Sequence, residues 1–219
     1  MVSLQLKGAD VTIILNDIRN AALPTDVEDV DSDRRLIKAA FRRAGIPDSI
    51  TSGIETRALR SGRRMTGQFK SNRNSRWTLQ AADPQYGSEL DCKIIQLRLM
   101  GMLLQFNGAP DVEQVARDIL ETKYLGSPIV AGGYRDSLLL EAMSYPEFLA
   151  EALSPVHGTS NFHIGHEDPT QIPKHSPGNI AWRSHRSNLI QGNMTLRRAR
   201  IYIIKLIGRY FELGELTIT

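Results

Sequence analysis

Apolar positions recur with helical spacing through much of the first 155 residues. Val112, Val115, Ala116, Ile119 and Leu120 mark one face of a helix over residues 111–124, closed by Gly126. Upstream, Ser32 or Asp33 is placed to cap a helix through residues 34–45, ended by Gly45 and Pro47. Its Leu36, Ala39 and Ala40 face inward, and Arg34, Arg35, Arg42 and Arg43 stay outside. Ser88 caps a long segment, residues 89–106, that is apolar on most faces and so predicts the central core helix. Met100 and Met102 within it read as packing. Residues 134–144 and 146–153 predict two further helices separated at Pro146, and residues 154–160 a linker. Residues 11–20 suit strand or helix equally. Residues 57–76 are polar and rich in Gly, Ser and Asn, which predicts a loop or flexible hairpin, with order resuming at Trp77. Thr195 opens a last amphipathic helix with Leu196, Ala199, Ile203, Ile207, Tyr210 and Phe211 on one side.

Composition adds bounds. The chain has 219 residues, 41% hydrophobic and 23% charged, an ordinary globular mixture. Its single cysteine excludes an intrachain disulfide and a Cys-rich zinc site. Cys92 lies among Leu90, Ile94 and Ile95 and reads as a buried thiol. The first residues lack a basic start followed by a long apolar stretch, and no apolar run approaches the roughly 18–20 residues of a membrane span. A cytoplasmic protein without membrane contact is therefore expected.

Charge changes the picture more. The net charge is only +3, yet Arg57–Arg76 holds seven basic residues and no acid, and Pro169–Phe211 holds eight and no acid. Such segregation suits a polyanion, because phosphate neutralisation needs clustered Lys and Arg. Arg60, Arg63, Arg64, Lys70, Arg73, Arg76, Lys174, Arg183 and Arg186 are the candidate DNA contacts.

The candidate chemistry lies in the second basic stretch. All five histidines fall between His157 and His185. Within FHIGHEDPTQIPKHSPGNIAWRSHRSNLIQG, His166 and Asn179 are 13 residues apart, and Asn179 and Asn188 are 9 apart. Pro169 and His175 fall between them. This segment resembles the HNH (ββα-metal) endonucleases, which carry a His at the end of one strand, an Asn opening a second strand, and a last His or Asn on a helix. The resemblance covers about residues 161–195. It implies a metal-dependent, restriction-type DNA endonuclease in which His166 is the general base, Asn179 orients it and Asn188 binds Mg2+ or Mn2+. A neutral imidazole, with an unperturbed pKa of about 6.5, suits a base near neutral pH. Hard cations prefer oxygen ligands, such as the Asn188 carbonyl. The Asp that usually precedes the base is Gly165 here. His163 is the candidate replacement ligand, with Glu167 and Asp168 as further candidates from the turn. No structural zinc is expected.

Rival chemistries have less support. Asp111 and Glu121-Thr122-Lys123 carry the letters of another metallonuclease site, but a helix would hold those acids about 15 Å apart. No GxxxxGK phosphate loop is present. A zinc hydrolase built on His163, His166 and His175 has only a His-x-x-His to stand on. The expected fold is therefore α+β. A helix-rich part, residues 1–155, serves DNA recognition or dimerisation, and an HNH-like module, residues 156–219, ends in the amphipathic helix. Double-stranded DNA and a second copy in a homodimer are the expected partners. The alternative is a nucleic-acid-binding protein whose HNH-like module no longer cuts.

Overall fold

In a computed structural model, the protein is described over residues 21–63, 65–66, 68–155 and 160–215. The ambiguous segment 11–20, Arg64 and His157 lie outside the described residues. The fold is α+β: helices surround one long central helix, and two small antiparallel sheets attach to them. The central helix, α3, spans Glu89–Leu103, and the Ser88 side chain caps it by accepting from Asp91 N at 3.0 Å. Every residue from Cys92 to Leu103 is buried, as its unbroken apolar character predicts. Burial pushes the Cys92 thiol up to about 12, so it is an unreactive core group. The polar side chains on α3 are partnered across helices. Lys93 Nζ reaches Asp31 and Glu89, Gln96 accepts from Arg34, and Arg98 donates to the Tyr124 carbonyl.

Three elements differ from the sequence reading. Helix α1 (Val27–Arg43) begins earlier than expected, because Asp26 caps it by accepting from Glu28 N. Asp33 instead lies buried within α1 and accepts from Tyr124 Oη and Lys123 Nζ. Helix α2 (Asp48–Leu59) was not anticipated; it buries Ile50, Ile54, Ala58 and Leu59 against α3. The expected helix over 134–144 is a loop. Asp136 Oδ1 accepts from both Leu138 N and Leu139 N, a local turn that competes with the helix, and Leu140 adopts a φ of 61°. Downstream, α4 (Gln114–Ile119) runs into a π-helical turn over Leu120–Leu125 that stops at left-handed Gly126. In α5 (Tyr145–Leu153), Pro146 falls in the first turn, where its missing N–H costs no bond, and Ser144 is the cap.

The basic segment that follows α2 forms a short hairpin, β1 (Met65–Thr66) and β2 (Phe69–Lys70), then a 3-10 turn over Arg76–Thr78. The second sheet pairs β3 (Phe162–His166) with β4 (Ile180–Ser184). Helix α6 (His185–Gln191) follows β4 directly, and α7 (Leu196–Glu212) ends the described chain. The β3–β4 hairpin shares the core of the helical part rather than forming its own. Phe162, Ile180, Ala181 and Trp182 belong to the cluster built on α3. Trp182 Nε1 donates to Leu99 O at 2.9 Å, and Tyr134 Oη donates to Trp182 O at 2.8 Å. A strand pair this small is not stable alone; the core helix supplies its rigidity.

Candidate active site

His166 closes β3, Asn179 immediately precedes β4, and Asn188 sits midway along α6. Alternation along β3 puts Phe162, Ile164 and His166 on one face and His163 and Gly165 on the other, beneath α6. His166, Gly165, Ile164, Pro169, Asn188, Gln191 and Gly192 line one open cleft of about 200 Å³. Both His166 and Asn188 thus border this cleft, with the His166 side chain on the face of β3 opposite the one that α6 covers.

Burial, with Lys174 and Arg76 nearby, holds the His166 imidazole down to about 4. Its ring is therefore neutral at pH 7 and able to accept a proton.

Asn179 is spent on the loop that joins the strands. It is buried, its Oδ1 accepts from Asp168 N at 2.7 Å, and its Nδ2 donates to Asp168 O and Lys174 O at 2.8 Å each. Its own carbonyl accepts from Glu167 N at 3.0 Å. These bonds engage both ends of the amide, and among the described residues no hydrogen bond joins it to the imidazole. Asn179 fixes the backbone next to His166.

His175 anchors the same loop from below. It is 1% exposed, and its Nε2 donates to Ala58 O at 2.7 Å, which assigns the proton to that nitrogen. Burial and Arg76 hold it down to about 3. The sign follows. Both histidines are neutral when folded but protonate near pH 6.5 when unfolded, so their contribution is present above that pH and lost as pH falls toward their folded values. Urea midpoints are expected to fall below about pH 6.5, each histidine adding a slope of about 1.4 kcal/mol per pH unit. In His175→Leu the slope is shallower; an unchanged slope would contradict this assignment.

Gly165 explains the missing Asp. A Cβ there would meet Arg183 Cγ and Asn188 Oδ1, each at 2.5 Å. The space a side chain would fill is taken by the Asn188 amide, whose Nδ2 lies 3.4 Å from Ile164 O. His163 lies further along β3. Its Nε2 is hydrogen-bonded to Ser160 O at 2.7 Å, and its ring lies tilted against that of His185, centroids 4.9 Å apart. It is not among the residues lining the cleft. Glu167 faces Arg183 and Ser137 instead, and Asp168 is tied to Thr170.

Two of the candidate DNA contacts are structural. Arg183 is 0% exposed; its Nη2 donates to Glu167 Oε1 at 2.9 Å and its Nη1 lies 3.8 Å from Asp136. No phosphate can reach it, and the correction could not be foreseen because both acids come from distant segments. Arg76 donates to Gln85 O at 3.0 Å and Arg57 O at 3.4 Å, tying the basic segment to α2. Arg60, Arg63, Lys70 and Arg73 are exposed, Lys174 is half-buried, and Arg186 is exposed and paired with Glu141. Arg76 and Lys174 are the two cations that act on His166.

Among the described residues, no group of three or more His, Cys, Asp or Glu is arranged to hold a metal. The oxygen donors at the cleft are amides: the Asn188 oxygen accepts no hydrogen bond among the described residues, and the buried Gln191 Oε1 likewise has no partner. Free amide oxygens fit a hard divalent cation that keeps most of its waters. No described helix is long and apolar enough to cross a membrane.

No family model matches the chain, and no curated protein matches it. Among solved structures, the crystal structure of a type II restriction endonuclease is similar, with 19% sequence identity and a TM-score of 0.49 over 59% of this chain. The match spans 55% of that structure's chain.

Proposed function

We propose that this protein is a metal-dependent endonuclease that hydrolyses DNA phosphodiester bonds at the cleft between β3 and α6. The observation that carries the reading is that His166, neutral at pH 7, and Asn188, whose amide lies over Gly165, both line one open cleft. The β–β–α order of His166, Asn179 and Asn188 matches what the HNH resemblance implies.

The chain's own groups divide the work as follows. His166 takes a proton from water as the water oxygen attacks phosphorus; the P–O bond to the departing sugar oxygen breaks, and that oxygen takes a proton from solvent. Asn179 and His175 hold the loop so that the ring stays in place. Asn188 would hold Mg2+ or Mn2+, which when bound supplies Lewis-acid polarisation of the phosphate. Arg60, Arg63, Lys70, Arg73 and Lys174 bind and orient the DNA backbone. Restriction-type sequence specificity, conferred by the helical part, and a homodimer that cuts both strands complete the reading. The exposed Ile204, Ile207 and Phe211 of α7 give a second copy an apolar surface to meet.

The test is to incubate the full chain with supercoiled plasmid and Mg2+, Mn2+ or EDTA. Nicked and linear products with either metal and none with EDTA are expected; discrete bands indicate sequence specificity. Gly165, standing where the resembled family carries an Asp, favours the second reading, a DNA-binding module that no longer cuts. Binding without cleavage in every metal would select it, and no binding would overturn both.

The exposed hairpin has its own expected result. Lys70→Ala and Arg73→Ala each weaken DNA binding, more at low salt than at high. Each reduces the slope of log K against log salt by about 1 if it contacts a phosphate. Fluorescence anisotropy across a salt series measures this, and an unchanged slope in both variants would remove the hairpin from the interface.

A further inference from the structure

Gln191 lies three residues after Asn188, on the same face of α6. It is 3% exposed and lines the cleft with Asn188 and His166. Its Nε2 donates to His166 O at 2.8 Å and to Met194 O at 3.0 Å. Both partners are acceptors only, so the amide cannot be flipped without setting oxygen against oxygen. The network therefore assigns Oε1 to the other side, where it is buried and has no hydrogen-bond partner. An unsatisfied buried oxygen costs about 1–3 kcal/mol and calls for a donor or a cation. The Asn188 oxygen, which packs over Gly165, accepts no hydrogen bond among the described residues. The cleft also borders Gly192, at the carbonyl end of α6, where the local dipole favours positive charge.

We propose that Gln191 is a second oxygen ligand, beside Asn188, for a divalent cation of the Mg2+ or Mn2+ class. The inference rests on the reading of this cleft as a metal site. It accounts for two amide oxygens left without donors, and it supplies the ligand that Gly165 cannot. The same side chain, through His166 O, ties the cation's position to the base.

The experiment titrates Mn2+ into the full chain and reads free Mn2+ by electron paramagnetic resonance, with circular dichroism to show that each variant folds. Wild type is expected to bind one Mn2+ at the cleft. Asn188→Ala and Gln191→Met each weaken binding at least about tenfold. Gln191→Glu, which keeps an oxygen at that position and adds charge, binds at least as tightly as wild type. If Gln191→Met binds as wild type does while Asn188→Ala does not, or if folded Gln191→Glu is as weak as Gln191→Met, the Gln191 assignment falls and the metal site stands. Failure of wild type to bind Mn2+ overturns the metal site itself.

Discussion

Replacing His166 with alanine is expected to lower DNA cleavage by about 10²- to 10⁴-fold, the range that a positioned general base contributes. DNA binding and folding are expected to persist. The reasons are separable in the structure. The imidazole is neutral at pH 7 because burial, Lys174 and Arg76 disfavour its charge, so it is unprotonated, as a base must be, and weaker than a free imidazole. The bonds that hold this corner together run through the backbone: Gln191 donates to the His166 carbonyl, and Asn179 accepts from Glu167 N. Alanine keeps all of them. Removing a ring whose burial is partial and whose charged form is disfavoured also relieves one source of acid sensitivity. A variant that cuts at the wild-type rate would move the chemistry elsewhere in the cleft.

The largest effect on stability is expected at Arg183. Its guanidinium is wholly buried between Glu167 and Asp136, and it also fills the space beneath Gly165. Arg183→Ala leaves Glu167 facing Ser137 alone and removes the cation beside the buried Asp136, whose carboxylate keeps its bonds from Leu138 N, Leu139 N and Ser184 N. Breaking a buried pair by removing one partner costs about 3–5 kcal/mol. The hairpin, which depends on this network and on Trp182 for its attachment to α3, loosens with it. Urea unfolding of Arg183→Ala measures the loss. Arg186→Ala is the control: its pair with Glu141 is exposed, and such pairs contribute about 0–1 kcal/mol. Equal stability losses in the two variants would contradict the buried network.

How much of this was legible in the sequence follows from the range of each interaction. Helices α3 and α7 were readable because Ser88 and Thr195 cap apolar patterns that are local. The spacing of His166, Asn179 and Asn188 was readable because it is short-range and sits inside one strand–loop–strand–helix unit. Helix α2 was missed because its inward positions are interrupted by Thr51, Gly53 and Thr56, which weakens the periodic signal. The loop at 134–144 was misread because one side chain, Asp136, overrides a helical pattern by capping a turn and accepting from Ser184 N across 48 residues of sequence. Arg183 was misassigned for a related reason: charge clustering along the chain does not reveal an acid brought in by folding. Gln191 carried no motif; only its orphaned oxygen in the folded cleft marks it.

The most direct measurement is single-turnover cleavage of an end-labelled duplex by wild type, His166→Ala and Asn188→Ala, with Mg2+ or Mn2+ and with DNA binding measured in parallel. Wild type is expected to cut, and both variants to bind the duplex with wild-type affinity yet leave it intact. Cleavage by either variant at the wild-type rate, or a wild type that binds without cutting in any divalent metal, would contradict the assignment of this cleft as the nuclease centre.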